Sequence, residues 1–139
     1  MLCETIMKRN VQCVSAADSV HVAAVTMRDC NVGFIPICDS MGKVVGTLTD
    51  RDITLRVTAE NRDPLATICA AVMTREVIAC SPEDDIAAAE RLMERNKKSR
   101  VLCIDDTGEL VGVISLSDIA ERDEKNAART LRNVSAREN

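Results

Sequence analysis

A shift of 66 residues lays this chain over itself without a gap. Met7 falls on Met73, Val11 on Val77, Ser15 on Ser81, Asp18 on Asp84, Ala23 on Ala89 and Met27 on Met93. Further along, Asp39 falls on Asp105, Gly42 on Gly108, Gly46 on Gly112, Asp52 on Asp118 and Ile53 on Ile119. A fixed period of this length, present twice, indicates one supersecondary unit duplicated and packed against its copy. Each half alone is of marginal size for a hydrophobic core, so the two are expected to fold together. Two copies related by a pseudo-twofold axis also make two related clefts, and the functional question is what those clefts hold.

The repeating unit reads as β-α-β-β-α, an α+β fold class. Each half opens on a short amphipathic piece, Cys3 to Arg9 or Ile68 to Arg75, followed by a short strand, Val11 to Val14 or Val77 to Cys80. Ser15-Ala16-Ala17-Asp18 and Ser81-Pro82-Glu83-Asp84 then read as helix starts. In each, a serine followed three residues later by an acid is close to a capping box, and Pro82 suits a first helical position. Val20, Ala23, Ala24 and Met27, and in the copy Ile86, Ala89 and Met93, recur at helical spacing and belong to the core. Phe34 to Cys38 and Lys43 to Leu48 follow as strands joined by Asp39-Ser40-Met41-Gly42, a tight antiparallel connection. Arg100 to Ile104 and Glu109 to Ile114 repeat that hairpin around Asp105 to Gly108. Pro36 donates no ladder hydrogen bond, which predicts an edge strand or a strand end. A last helix is expected from Thr49 through Ile53, and from Ser115 through Ile119.

The domain layout read this way is 1–60 for the first repeat, 61–66 for a polar linker, 67–123 for the second repeat and 124–139 for a polar C-terminal tail. The tail reads as a helix extension that frays, or as a helical arm for a partner chain. The formal charge of −4 argues against duplex nucleic acid as the main partner, since phosphate backbones need a basic face. No apolar run approaches a membrane span and no secretory pattern opens the chain. Seven cysteines with no C-x-x-C pair and a single histidine, His21, read as reduced thiols acting as small core hydrophobes. That usage points to the cytoplasm. No nucleophile–base pair, metal-ligand set or P-loop is legible, so neither an enzyme nor a metal site is expected.

The sharpest local match lies where the last strand of each half meets the last helix. Gly46-Thr47-Leu48-Thr49-Asp50-Arg51-Asp52-Ile53 aligns with Gly112-Val113-Ile114-Ser115-Leu116-Ser117-Asp118-Ile119. In this motif, in the repeat and in the Ile35-Pro36 strand signal, the chain resembles a tandem pair of cystathionine-β-synthase (CBS) domains, the Bateman module, from about Cys3 to Arg122. The chemistry of the motif agrees. A hydroxyl at a strand end followed by a helix start gathers donors that favour phosphate. A carboxylate three residues on lies one turn along the same face, placed to accept the two hydroxyls of a ribose. Thr49 with Asp52, and Ser115 with Asp118, are therefore candidate ribose and phosphate contacts. Helix capping is the plainer reading of the same residues, and the two roles are compatible.

The resemblance further implies that an adenine ring enters between apolar strand residues. The matching positions are Val11, Phe34, Ile35 and Pro36 in the first half, and Val77, Arg100, Val101 and Leu102 in the second. Leu102 stands where the first half has Pro36, and with one phenylalanine and no other aromatic residue the base would be held by apolar contact and backbone hydrogen bonds. Arg51, Lys98 and Arg100 are candidate phosphate contacts, with Lys97 in the same basic cluster. The implied function is a stand-alone regulatory module. It would bind AMP, ADP, ATP or NAD between its repeats, need no cofactor, form homodimers and signal to an effector protein. The alternative is a ligand-free assembly module that acts through homodimerisation and partner binding. Asp52→Ala and Asp118→Ala are expected to weaken ribose ligands with the fold intact.

Overall fold

The structure, a computed structural model, describes residues 1–122 and 124–136. In chain order it contains α1 (Cys3–Ile6), β1 (Val14–Ser15), α2 (Val20–Cys30), β2 (Phe34–Cys38), β3 (Val44–Thr49) and α3 (Asp50–Ile53), which runs on as a π-helical segment, Thr54–Thr58. The second copy contains α4 (Cys69–Val72), β4 (Ala79–Cys80), α5 (Ile86–Asn96), β5 (Arg100–Ile104), β6 (Leu110–Ser115) and α6 (Leu116–Ala120), followed by α7 (Glu124–Ser135). The strands form two three-stranded sheets, ordered β1-β2-β3 and β4-β5-β6. In each, the short first strand pairs parallel to the second and the hairpin is antiparallel. This is the α+β repeat anticipated from the 66-residue period.

The packed bodies are offset from the sequence repeats. One body is Gln12–Val77; the other joins Met1–Val11 to the chain from Ile78 onward. The opening segment of each half therefore packs with the strands and helices of the other half's number range. In the second body the N–H groups of Cys3 and Glu4 donate to the carbonyls of Asp84 and Pro82, at 2.8 and 2.9 Å. In the first, those of Cys69 and Ala70 donate to Asp18 and Ala16, at 2.8 and 3.0 Å.

Those bonds account for where α2 and α5 begin. The Ser15–Asp18 and Ser81–Asp84 stretches do close reciprocally, Ser15 N–H donating to Asp18 Oδ2 and Ser81 N–H to Asp84 Oδ2. Yet they are turns, not first helical turns, because the carbonyls of Ala16, Asp18, Pro82 and Asp84 face the docked segments instead of continuing a helix. The helices start later, at Val20 behind the N-cap Ser19 and at Ile86 behind Asp85. Pro82 accordingly lies in the turn. The hairpin turns match expectation, with Gly42 at φ 81° and Gly108 at φ 87°, a region open to glycine.

Pro36 sits in a central strand, contrary to the edge position expected of it. Its ladder partner Thr47 directs both backbone groups to Thr74, at 2.9 Å each, so no hydrogen bond from Pro36 is missing on that side. On its other side β1 is only two residues long and pairs with Ile37 and Cys38, beyond the proline. Leu102, at the equivalent place, does donate, to Ile78 at 3.0 Å.

The cores are separate clusters. In the first body Val20, Ala23 and Met27 of α2 pack with Ile35, Ile37 and Leu48. In the second, Ala89 and Met93 of α5 pack with Val101, Cys103 and Ile114. All seven cysteines are free thiols and five of them are buried, which is the core usage read from the sequence. Cys80 lies 3.7 Å from Cys3 and 3.6 Å from Cys103, sulfur to sulfur. Hydrogen bonding to Cys3 and Cys80, with burial, pushes the Cys103 thiol up. Burial and then the nearby Asp18 carboxylate push Cys69 up to about 11.

The polar segment after residue 123 is helical from Glu124 through Ser135; residues 137–139 of that stretch lie outside the described residues. Its buried face is Ala127, Thr130 and Val134, set against α5 and α6. The Lys97 ammonium, just past α5, also donates to the Asn133 carbonyl at 2.8 Å. A face made of one alanine, one threonine and one valine carries too little hydropathy to announce itself in the sequence.

Candidate functional site

Each body presents one strand–helix junction of the same construction. Thr49 ends β3 in extended conformation (ψ 163°) and Ser115 ends β6 likewise (ψ 160°), so each hydroxyl is left beside the first helical turn. Thr49 Oγ1 accepts from Asp52 N–H at 3.1 Å, and Asp52 Oδ2 accepts from Thr49 N–H at 3.0 Å. Ser115 Oγ accepts from Asp118 N–H at 3.2 Å, and Asp118 Oδ2 accepts from Ser115 N–H at 2.8 Å. Both pairs are closed capping boxes, with aspartate in the role more often taken by glutamate.

The boxes limit what else the junctions can bind. In α3 the N–H groups of Asp50, Arg51 and Asp52 donate to Gly33 O, Asp50 Oδ1 and Thr49 Oγ1. In α6 those of Leu116 and Asp118 donate to Ser99 O and Ser115 Oγ. A phosphate at these junctions would meet side-chain cations rather than a fan of backbone donors. The carboxylates retain capacity, however. An ionised carboxylate accepts about four hydrogen bonds, and each box uses Oδ2 for one. The outer oxygens face cations: Asp52 Oδ1 lies 3.6 Å from Arg56 Nη2, and Asp118 Oδ1 lies 3.5 Å from Lys8 Nζ. Asp118 is buried and Asp52 half-buried, so both carboxylates are held rigidly. Alanine at either position would remove the reciprocal hydrogen bond of the box as well as any ligand contact, while the Thr49 or Ser115 hydroxyl still caps the helix.

The strand candidates divide unevenly. Phe34 is the ladder partner of Thr49 and Arg100 that of Ser115, so the first residue of each middle strand lies beside its hydroxyl. Ile35, Pro36, Val101 and Leu102 are buried, leaving backbone as their readiest offering. Val11 belongs to the body of Ser115 and Asp118, and Val77 to that of Thr49 and Asp52, each opposite to its sequence half. Arg51 and Lys98 are exposed, as is His21.

Two residues of the junctions escaped the sequence reading, Arg56 and Lys8. Arg56 stands four residues after Asp52, a helical ion-pair spacing that was available as a signal. It also donates from Nη1 to Val72 O at 2.7 Å and to Thr74 Oγ1 at 3.2 Å. Lys8 had no local signal, because 110 residues separate it from Asp118. The glycines of the motif also gain a reason. A Cβ on Gly46 would lie 2.6 Å from Thr74 O, and one on Gly112 would lie 2.7 Å from Met7 Sδ. Glycine lets the Met73–Thr74 and Met7–Lys8 segments cross the last strand of each sheet.

Among the described residues no group of histidine, cysteine, aspartate or glutamate is arranged to hold a metal ion, and no helix is long and apolar enough to cross a membrane. The family described as "CBS domain" matches residues 3–58 and, a second time, 69–125. The CBS domain-containing protein YhcV of Bacillus subtilis is 36% identical over 131 residues, covering 93% of this chain and 91% of that protein. The crystal structure of Hypoxic Response Protein I with two coordinated zinc ions superposes with a TM-score of 0.80 at 29% identity, over 88% of this chain and 98% of that one. The CBS domain pair of protein MJ0100, solved in complex with 5′-methylthioadenosine and S-adenosyl-L-methionine, superposes with a TM-score of 0.77 at 26% identity. It covers 87% of this chain and 94% of that one.

Proposed function

Because this chain belongs to the CBS-domain family and carries the domain twice, we propose that it is a regulatory module that binds adenine nucleotides at the Thr49–Asp52 and Ser115–Asp118 junctions. The ligand acts as a signal and is not transformed. The observation that carries this reading is the twin carboxylate: a rigid aspartate in each body, fixed through Oδ2 and retaining acceptor capacity on Oδ1. A ribose 2′,3′-diol offers two donors to such an oxygen pair. The adenosyl ligands in the MJ0100 pair, a relative at 26% identity, support the same class. Differential affinity for two arrangements of the protein would carry the signal to an effector, in the cytoplasm and from a homodimer.

A thermal-shift panel of AMP, ADP, ATP, NAD and S-adenosylmethionine tests the reading. A ligand at 100 times its Kd adds about 2.7 kcal/mol of stability. Asp52→Asn and Asp118→Asn are the informative variants, because asparagine can still accept the hydrogen bond that closes the box. At least one adenosyl ligand is expected to raise the parent's midpoint, with a reduced shift in one or both variants. No shift with any ligand would replace this reading with an assembly module whose work is partner binding.

A further inference from the structure

Among the differences between the two junctions is the cation that faces each carboxylate, Lys8 at Asp118 and Arg56 at Asp52. Resting on the nucleotide reading above, we propose that Lys8 is the phosphate-reading residue of the Asp118 junction, which therefore takes a phosphorylated adenosine ligand in preference to an uncharged nucleoside.

With the first-turn N–H groups of Leu116 and Asp118 engaged, a side-chain cation is the strongest group left to hold a phosphate there. Lys8 meets that need. Its backbone is pinned to the sheet, N–H to Val113 O at 2.9 Å and carbonyl to Val113 N–H at 3.0 Å. Its side chain is 75% exposed and leaves the ammonium 3.5 Å from Asp118 Oδ1. So exposed an ion pair holds its lysine weakly, and the flexible stem can swing the ammonium from the carboxylate to a neighbouring anion. A nucleotide presents the two groups in the matching order, a diol for Asp118 and, across the same ribose, a phosphate for Lys8.

The Asp52 junction lacks this device. Thr74, uncharged, occupies the place equivalent to Lys8 and bridges to Val113's counterpart Thr47 in the same way. The cation beside Asp52 is Arg56, and its guanidinium is committed to Val72 O, Thr74 Oγ1 and the carboxylate together. A group fixed by three partners is poorly placed to follow a phosphate.

The test is titration calorimetry with AMP and with adenosine on the parent, Lys8→Thr and Asp118→Asn. Lys8→Thr installs the residue that already serves at the equivalent position, so the fold is preserved. The parent is expected to prefer AMP, and Lys8→Thr to lower the AMP-to-adenosine affinity ratio about tenfold, the scale of one charge-assisted hydrogen bond. Adenosine affinity should be unchanged or improved, and the salt dependence of AMP binding should flatten. Asp118→Asn should weaken both ligands alike. Equal losses for AMP and adenosine in Lys8→Thr, or no change in either, would overturn the assignment of Lys8 while leaving the nucleotide reading standing. Parent protein that binds neither ligand would overturn both.

Discussion

Gly46→Ala is expected to destabilise the protein by about 1–3 kcal/mol, the cost of forcing an extra methyl into a packed contact. The methyl would lie 2.6 Å from the Thr74 carbonyl oxygen and 2.8 Å from Met73 Sδ. The carbonyl cannot move aside, because Thr74 exchanges both backbone hydrogen bonds with Thr47, one residue along the same strand. Gly112→Ala should cost less. Its methyl meets mainly the Met7 side chain, whose thioether has other rotamers, while the Lys8 carbonyl stands back at 3.0 Å. Urea unfolding should show the difference as a lower midpoint at unchanged slope, larger for Gly46→Ala. If alanine at position 46 unfolds like the parent, the crossing segment is not seated as described.

Thr130→Val is expected to cost about 1–3 kcal/mol, by removing a donor from a buried carboxylate. Thr130 is fully buried at 0% exposure and Glu90 at 4%, and the threonine hydroxyl donates to Glu90 Oε2 at 2.9 Å. Glu94 Oε1, at 3.4 Å, is a looser neighbour of the same hydroxyl. Valine fills nearly the same space, so a loss of stability would report the hydrogen bond and the desolvated charge rather than a cavity. The double variant Thr130→Val/Glu90→Leu separates these. With both polar groups gone, stability should recover toward the parent, giving a large non-additive coupling between the two positions. Additive effects, or a Thr130→Val variant as stable as the parent, would mean that α7 is held by its Ala127 and Val134 contacts and the Lys97–Asn133 hydrogen bond without help from Thr130.

What could be read in the sequence was local. The helix stripes of Val20, Ala23 and Met27, the Asp-to-Gly hairpin turns, and the hydroxyl-to-aspartate spacing of Thr49–Asp52 and Ser115–Asp118 each depend on contacts within a few residues. Their signals survive in a linear pattern. The same locality misled where a long-range bond intervened. Ser15–Asp18 looks like a helix cap until Cys69 and Ala70 take its carbonyls. Pro36 looks like an edge residue until Thr74 takes the backbone groups of Thr47.

By itself, then, the sequence determined the duplicated unit, its order of strands and helices, and the paired motif that places a carboxylate one turn into each last helix. Tertiary structure alone decided which segment packs with which sheet, that Lys8 faces Asp118, and that Glu124–Ser135 is a docked helix. The reason is physical. A repeat makes both sheets equally good partners in pattern for either opening segment, each of which lays a methionine over a glycine of the last strand, so the linear pattern does not record which sheet a segment joins.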